Sequence, residues 1–129
     1  ALQRSSDSRR WPSMGNRWLA SIASRNGRER VELVDLRNGQ PVPLPGINQA
    51  DAQPISVSVS ADGNRIALIR SRDGRTELML YRRGVGILQR LPVEPAGVPR
   101  EVSLDGSGRL LAVQVSRQGR WDVDLIRLP

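Results

Sequence analysis

Ser60-Ala61-Asp62-Gly63-Asn64-Arg65-Ile66-Ala67-Leu68-Ile69-Arg70-Ser71-Arg72-Asp73-Gly74-Arg75 holds one apolar run between two tight-turn signals. At the first, Gly63 accepts positive φ and Asp62 can bond nearby backbone amides. At the second, Asp73-Gly74 suits the twist of a β-hairpin. The run from Arg65 to Arg70 is six residues, too short for a helix between such breakers and long enough for a strand. Ahead of it, Ile55-Ser56-Val57-Ser58-Val59-Ser60 alternates strictly, the pattern of a strand with one buried face. Behind it, Thr76 to Arg82 reads as a third strand. Gly84 and Gly86 loosen the chain, and Ile87 to Leu91 gives a short fourth.

The same unit recurs on both sides. Arg17-Trp18-Leu19-Ala20, Arg65-Ile66-Ala67 and Leu110-Leu111-Ala112 are each followed at a fixed offset by a polar turn: Ser24-Arg25-Asn26-Gly27-Arg28, Ser71-Arg72-Asp73-Gly74-Arg75 and Ser116-Arg117-Gln118-Gly119-Arg120. The three alanines lie 47 and 45 residues apart, a period that belongs to propeller blades or solenoid units. The first copy has strands from Trp11, at Trp18–Ala23 and at Val31–Leu36, then a short outer strand near Val42–Leu44, weakened by Pro41, Pro43 and Pro45. The third has Glu101–Leu104, Leu110–Val115 and Trp121–Leu128, and reaches Pro129 before any fourth strand. Second strands such as Leu110-Leu111-Ala112-Val113 carry apolar residues consecutively, as strands covered on both faces do.

These features predict an all-β fold. It is a propeller of four-stranded antiparallel blades, three repeats per chain, half of a six-bladed ring. The alternative is a single sandwich or irregular barrel whose turns look alike. Residues 1–10 form a flexible N-terminal segment, and 11–129 the propeller domain, with repeats at about 11–46, 54–92 and 99–129.

Composition narrows the chemistry. The 129 residues carry 20 basic side chains, all arginine, against 13 acids, for a net charge of +7. Such a charge favours anionic partners without identifying them. Cysteine and histidine are absent, which removes disulfides, thiolate nucleophiles, imidazole metal sites and histidine-based triads. No cofactor or metal is expected, and no apolar run approaches the 18 residues of a membrane helix.

Ser60-Ala61-Asp62-Gly63-Asn64-Arg65-Ile66-Ala67 resembles the Ser-Pro-Asp-Gly-x-x-Ile/Leu-Ala signature of the WD40-like propeller repeats of the TolB family. Ser71-Arg72-Asp73-Gly74 with the Glu77–Tyr81 strand resembles its second half, and Asp35-Leu36-Arg37-Asn38-Gly39 its ending. The middle copy has Ala61 for the usual proline. The third reads Leu104-Asp105-Gly106-Ser107-Gly108, and the first, Pro12-Ser13-Met14-Gly15-Asn16, lacks the aspartate. The resemblance implies blade type, and periplasmic or cell-envelope residence with cytoplasm as the alternative. TolB itself is larger, with six such blades, so its partner does not transfer.

Three blades leave two open blade faces, so self-association into a C2 pair of half-rings is expected to complete the ring, with a fragment of a longer chain as the alternative. Arg25, Arg28, Arg72, Arg75, Arg117 and Arg120 occupy one turn of each unit. They are the candidate ligand-binding residues for an acidic protein or an anionic glycan; alternatively, they are solubilising charges on exposed hairpins. Trp11, Trp18 and Trp121, at non-equivalent positions, are interface candidates. Nucleic acid is disfavoured, because the few aromatics make no stacking row. No catalytic residue is assigned. The expectation is a non-catalytic binding or scaffold module. The alternatives are a carboxylate-dependent hydrolase or lyase at a ring mouth, and a structural propeller fragment without independent activity.

Overall fold

A computed structural model describes residues 9–14 and 17–129, with side chains from Arg17 onward. Residues 1–8 lie outside it, so the expectation of a flexible segment there falls on residues that are not described, although Arg9 and Arg10 begin the first strand. Among the described residues there are eleven strands and no helix. Blade 1 is β1 (Arg9–Met14), β2 (Trp18–Arg25), β3 (Arg28–Asp35) and β4 (Gln40–Pro41). Blade 2 is β5 (Ala52–Val59), β6 (Arg65–Arg72), β7 (Arg75–Arg82) and β8 (Ile87–Leu91). Blade 3 is β9 (Val98–Leu104), β10 (Leu110–Arg117) and β11 (Arg120–Arg127). Each is an antiparallel sheet with its strands in chain order.

The expected elements are present, with longer hairpins and one displaced strand. The outer strand of blade 1 is two residues, Gln40–Pro41, instead of a segment near Val42–Leu44. Prolines at 41, 43 and 45 have no N–H to continue a ladder, and pairing ends with Val42 N–H on the Leu33 carbonyl.

Blades stack face to face through two apolar seams. Along β6, Ile66 and Leu68 point toward blade 1, while Ala67 and Ile69 point toward blade 3, as strand alternation requires. The first seam joins them to Trp18, Ala20, Ile22, Leu33, Met79 and Tyr81. The second joins Leu78 and Leu80 to Leu104, Leu111, Val113 and Val115. A fully buried Leu or Ile contributes roughly 1.5–3 kcal/mol, so two seams of this kind supply the core that no single blade could. Tyr81 is fully buried, and its hydroxyl donates to the Pro45 carbonyl at 2.7 Å in the loop joining blades 1 and 2.

The alternating segment of β5 departs from its one-face expectation. Val57 and Val59 pack into the first seam, but Ser56 and Ser58 are buried on the other side. Their hydroxyls accept from the backbone N–H groups of Val102 (3.2 Å) and Leu104 (2.8 Å) on β9. The polar residues of this strand serve the innermost strand of the next blade, whose edge amides would otherwise be unsatisfied.

Candidate functional site

The three hairpins that carry the candidate arginines have the same backbone. Asn26-Gly27, Asp73-Gly74 and Gln118-Gly119 all have positive φ at both positions, between 49° and 79°. That is the two-residue type I′ geometry whose twist matches the flanking strands. The ladders put Arg25 opposite Arg28, Arg72 opposite Arg75, and Arg117 opposite Arg120. Like charges facing each other across a ladder destabilise it unless something separates them.

What separates them is a division of labour. Arg25 donates to Glu32 at 2.7 Å. Arg72 reaches Gln49 Oε1 at 3.3 Å and lies 3.8 Å from Glu77. Arg117 is buried; it donates to Asp122 at 3.2 Å, to Asp124 Oδ1 at 2.9 Å, and to the Pro95 carbonyl at 3.0 Å. Arg72 and Arg117 therefore turn inward and fasten each hairpin to the loop entering its own blade, the loop that carries Gln49 in one case and Pro95 in the other. Arg28, Arg75 and Arg120 are exposed at the tips. Arg28 makes a 3.4 Å bond to the Ala50 carbonyl, and Arg120 lies 3.4 Å from Asp122.

The bonds to Gln49, Ala50 and Pro95 put all three hairpins on the same end of the arc as the inter-blade connections. Around Arg28 this end opens into two shallow clefts. One, of about 310 Å³, is lined by Arg25, Asn26, Arg28, Arg30 and Asn48. The other, of about 350 Å³, is lined by Arg28, Ala50, Asp51, Gln53, Arg72 and Asp73 among others. Three guanidinium groups with an asparagine amide beside them offer donors suited to carboxylate or phosphate oxygens. A larger opening of about 500 Å³ runs along β11, lined by Leu91, Pro92, Glu94, Val123, Asp124, Leu125 and Ile126. Val123–Ile126 are the register equivalents of Leu78–Tyr81, which pair with β8, so this opening occupies the place of a fourth strand.

The three tryptophans have different surroundings. Trp18 is buried in the first seam, and the guanidinium groups of Arg17 (4.5 Å) and Arg83 (4.6 Å) both lie over its ring. Trp121 is exposed on β11. The side chain of Trp11 lies outside the described residues.

Many acids on which a catalytic reading would draw are engaged. Asp35 accepts a bidentate pair from Arg17 at 3.0 and 2.7 Å, and Glu77 accepts from Arg70 at 3.1 Å. Asp62 takes the Ser60 hydroxyl and the Asn64 amide. In blade 3 the two partners exchange places: Asp105 stands where Ser60 does, Ser107 where Asp62 does, and Asp105 accepts the Arg109 and Leu110 amides. No group of three or more acids that could hold a metal ion occurs among the described residues. No helix there is long and apolar enough to cross a membrane.

These contacts set the acid response. Hydrogen bonds from Arg17 depress the Asp35 carboxyl, those from Ser60 the Asp62 carboxyl, those from the Leu110 amide the Asp105 carboxyl, and those from Arg117 the Asp124 carboxyl. Unfolded aspartates titrate near about 3.9, above these folded values, so the unfolded chain takes up protons first as pH falls. The stabilisation is fully present above about pH 4 and is lost as pH drops through the folded values. Urea midpoints are expected to stay level from about pH 5 to 8, since no histidine titrates there, and to fall steeply below about pH 4. A midpoint that rises on acidification would contradict this assignment.

Stacked antiparallel blades, two of four strands and one of three, define an arc of a β-propeller. The likeness is to TolB-type propellers. The chain matches TolB from Acinetobacter baumannii over 91% of its length at 20% identity and a TM-score of 0.68, covering 29% of that chain. It matches a putative TolB from Agrobacterium tumefaciens over 98% at 15% identity and a TM-score of 0.74, covering 47% of that chain. A puromycin-hydrolyzing peptidase of Mycobacterium tuberculosis matches over 94% at 19% identity and 0.66, with 19% of that chain covered. The chain thus spans less than half the length of these solved structures, and at these identities the likeness shows the fold. No protein-family description matches the sequence, and no curated protein matches it.

Proposed function

We propose that this chain is a non-catalytic binding or scaffold module that engages an acidic protein or anionic polymer through the hairpin end of its blades. The observation that carries the reading is that three equivalent I′ hairpins hold Arg28, Arg75 and Arg120 exposed at one end while their cross-strand neighbours make polar contacts within the chain. A net charge of +7 adds long-range attraction. The TolB-type fold goes with a binding role and with periplasmic or cell-envelope residence. Propellers also occur beside peptidase units, as in the Mycobacterium tuberculosis neighbour, and a carboxylate-dependent hydrolase is the second reading. Its difficulty is that Asp35, Glu77 and Asp124 are held in arginine ion pairs.

The test is binding of poly-glutamate by the whole chain and by the triple variant Arg28→Ser/Arg75→Ser/Arg120→Ser. Exposed charge contacts contribute roughly 0.5–1 kcal/mol each, so affinity is expected to fall about tenfold or more and to weaken further with salt. The control is Arg90→Ser/Arg100→Ser/Arg127→Ser, with the same net charge and exposed residues elsewhere. Equal losses in both variants would mean that overall charge, and not this end of the arc, attracts the polymer.

A further inference from the structure

At the end of the arc away from the hairpins, one turn breaks the repeat. In blade 1, β3 and β4 are joined through Asp35-Leu36-Arg37-Asn38-Gly39-Gln40; in blade 2, β7 and β8 are joined through Arg82-Arg83-Gly84-Val85-Gly86-Ile87. The two turns share one geometry. Asp35 pairs with Gln40 and Arg82 with Ile87. The Gly39 and Gly86 N–H groups donate back to the Asp35 and Arg82 carbonyls, each at 2.8 Å, and both glycines have positive φ, 69° and 67°. Their side chains differ in character. Where blade 1 has the polar Asn38 and Gln40, blade 2 has Val85 and Ile87, 66% and 53% exposed. The other exposed large apolar side chains among the described residues all belong to blade 3. Neither Val85 nor Ile87 joins a core cluster, and blade 1 makes the same turn with polar side chains, so folding does not account for the pair.

Charge around this turn is also arranged differently from charge at the hairpin end. There, the exposed Asp51 and Asp73 stand among the arginines of one cleft. Here the acids of the described turns are Asp35, Asp62 and Asp105, and each is committed. Asp35 takes Arg17, Asp62 takes Ser60 and Asn64, and Asp105 takes Ser107 and the amides of Arg109 and Leu110. Arg82 and Arg83 donate instead to neutral oxygens, Gln89 Oε1 at 3.1 Å and the Gly63 carbonyl at 2.8 Å. Such bonds hold the side chains in place and leave their charge without a counter-ion. Arg37 shares Asp35 with Arg17 and is 67% exposed. Arg109 is exposed, with no carboxylate partner among the described residues. The turns are tied to one another across blades: the Ala61 N–H donates to the Gly106 carbonyl at 2.9 Å, and Gly63 lies against Trp18. The arginines therefore sit on a fixed surface.

We propose that this end of the arc binds the surface of an anionic lipid bilayer, with Val85 and Ile87 entering the interface and Arg37, Arg82, Arg83 and Arg109 meeting lipid phosphates. Peripheral binding combines buried apolar surface with attraction to anionic headgroups, and either contribution alone is weak. Both are present in one stretch here, an apolar pair directly after two arginines. A bilayer suits the arrangement better than a folded partner does. The apolar pair stands at a turn and lines none of the clefts described above, so it offers a tip to insert and no pocket to fill. The arginines are spread over turns of all three blades, which a single plane can meet together. The hairpins lie at the opposite end, so lipid binding leaves them free and does not rest on their reading.

The test is co-sedimentation of the whole chain with vesicles of phosphatidylcholine alone and of phosphatidylcholine mixed with phosphatidylglycerol. Binding is expected to the mixed vesicles only, and to weaken with salt. Val85→Asn/Ile87→Gln, which gives blade 2 the side chains of blade 1, and Arg37→Ser/Arg109→Ser should each reduce partitioning about tenfold or more. All four positions are exposed, so thermal melts of both variants should match the unaltered chain. Arg28→Ser/Arg75→Ser/Arg120→Ser, which removes more charge at the hairpin end, should lose less binding than either. The chain has no cysteine, so Val85→Cys carries an environment-sensitive dye at a single position. Its emission should shift to the blue with the mixed vesicles and stay unchanged with poly-glutamate. No vesicle binding, equal binding to phosphatidylcholine alone, indifference to Val85→Asn/Ile87→Gln, or a hairpin-end variant that loses as much as Arg37→Ser/Arg109→Ser would each overturn the proposal. A blue shift with poly-glutamate as large as with vesicles would overturn it in favour of an acidic polymer at this end.

Discussion

Gly63→Ala is expected to destabilise the chain by about 3 kcal/mol, far beyond the same change at an equivalent-looking turn glycine. Two effects combine. Gly63 has a φ of +75°, where an L side chain costs on the order of 1 kcal/mol or more. A methyl group there would also lie 2.4 Å from Trp18 Cε2. The indole cannot step aside, because it is buried in the first seam and in contact with the guanidinium groups of Arg17 and Arg83. Overpacking of this kind costs roughly 1–3 kcal/mol. Gly74 is the control: its φ is +73°, yet nothing lies within 4 Å of an added methyl, so Gly74→Ala should cost only about 1 kcal/mol. Thermal melts should show a shift of roughly 10 °C for the first and a few degrees for the second. In a Trp18→Leu background the excess at Gly63 should largely vanish. If it persists there, contact with the indole is not its cause.

That contact also shows why part of the fold was legible in the sequence and part was not. The period linking Ala20, Ala67 and Ala112 and the paired turn residues are local signals, and they determine strand order, hairpin type and blade stacking. Gly63 was read as a turn glycine on local grounds, but its tightest constraint comes from Trp18, 45 residues earlier in sequence and in another blade. Ser56 and Ser58 looked like a solvent face because alternation reports only one dimension of packing; their partners are amides of β9, 46 residues away. The triplicated arginine turn was legible as a pattern. The difference in burial between Arg117 and Arg75 was not, because it depends on Asp122, Asp124 and the Pro95 carbonyl meeting one guanidinium. Asp122 and Asp124, one strand face apart in sequence, were the signal that could have exposed it.

Glu77→Leu is the second substitution with a large expected effect, and it connects the core to the candidate binding end. Arg70 is 4% exposed and donates from Nε to Glu77 at 3.1 Å; Arg70 Nη1 and Arg72 Nη1 both donate to Gln49 Oε1, at 3.1 and 3.3 Å. Leucine at 77 keeps much of the side-chain volume but leaves the Arg70 cation buried without a carboxylate, a change that costs roughly 3–5 kcal/mol in comparable buried pairs. Removing both charges should be far milder, since a well-packed apolar replacement of a buried pair is often neutral. Arg70→Met/Glu77→Leu is therefore expected to recover most of the lost stability in urea unfolding. It should not recover the order of the loop: Gln49 loses a donor in the double variant, and the adjoining Ala50 carbonyl is where Arg28 is anchored. Hydrogen exchange at residues 48–52 should therefore stay fast in the double variant while global stability returns. A double variant as unstable as Glu77→Leu alone would show that the pair is held by packing and not by charge. Slow exchange in that loop would separate the Arg70–Gln49 bond from the placement of the Arg28 tip.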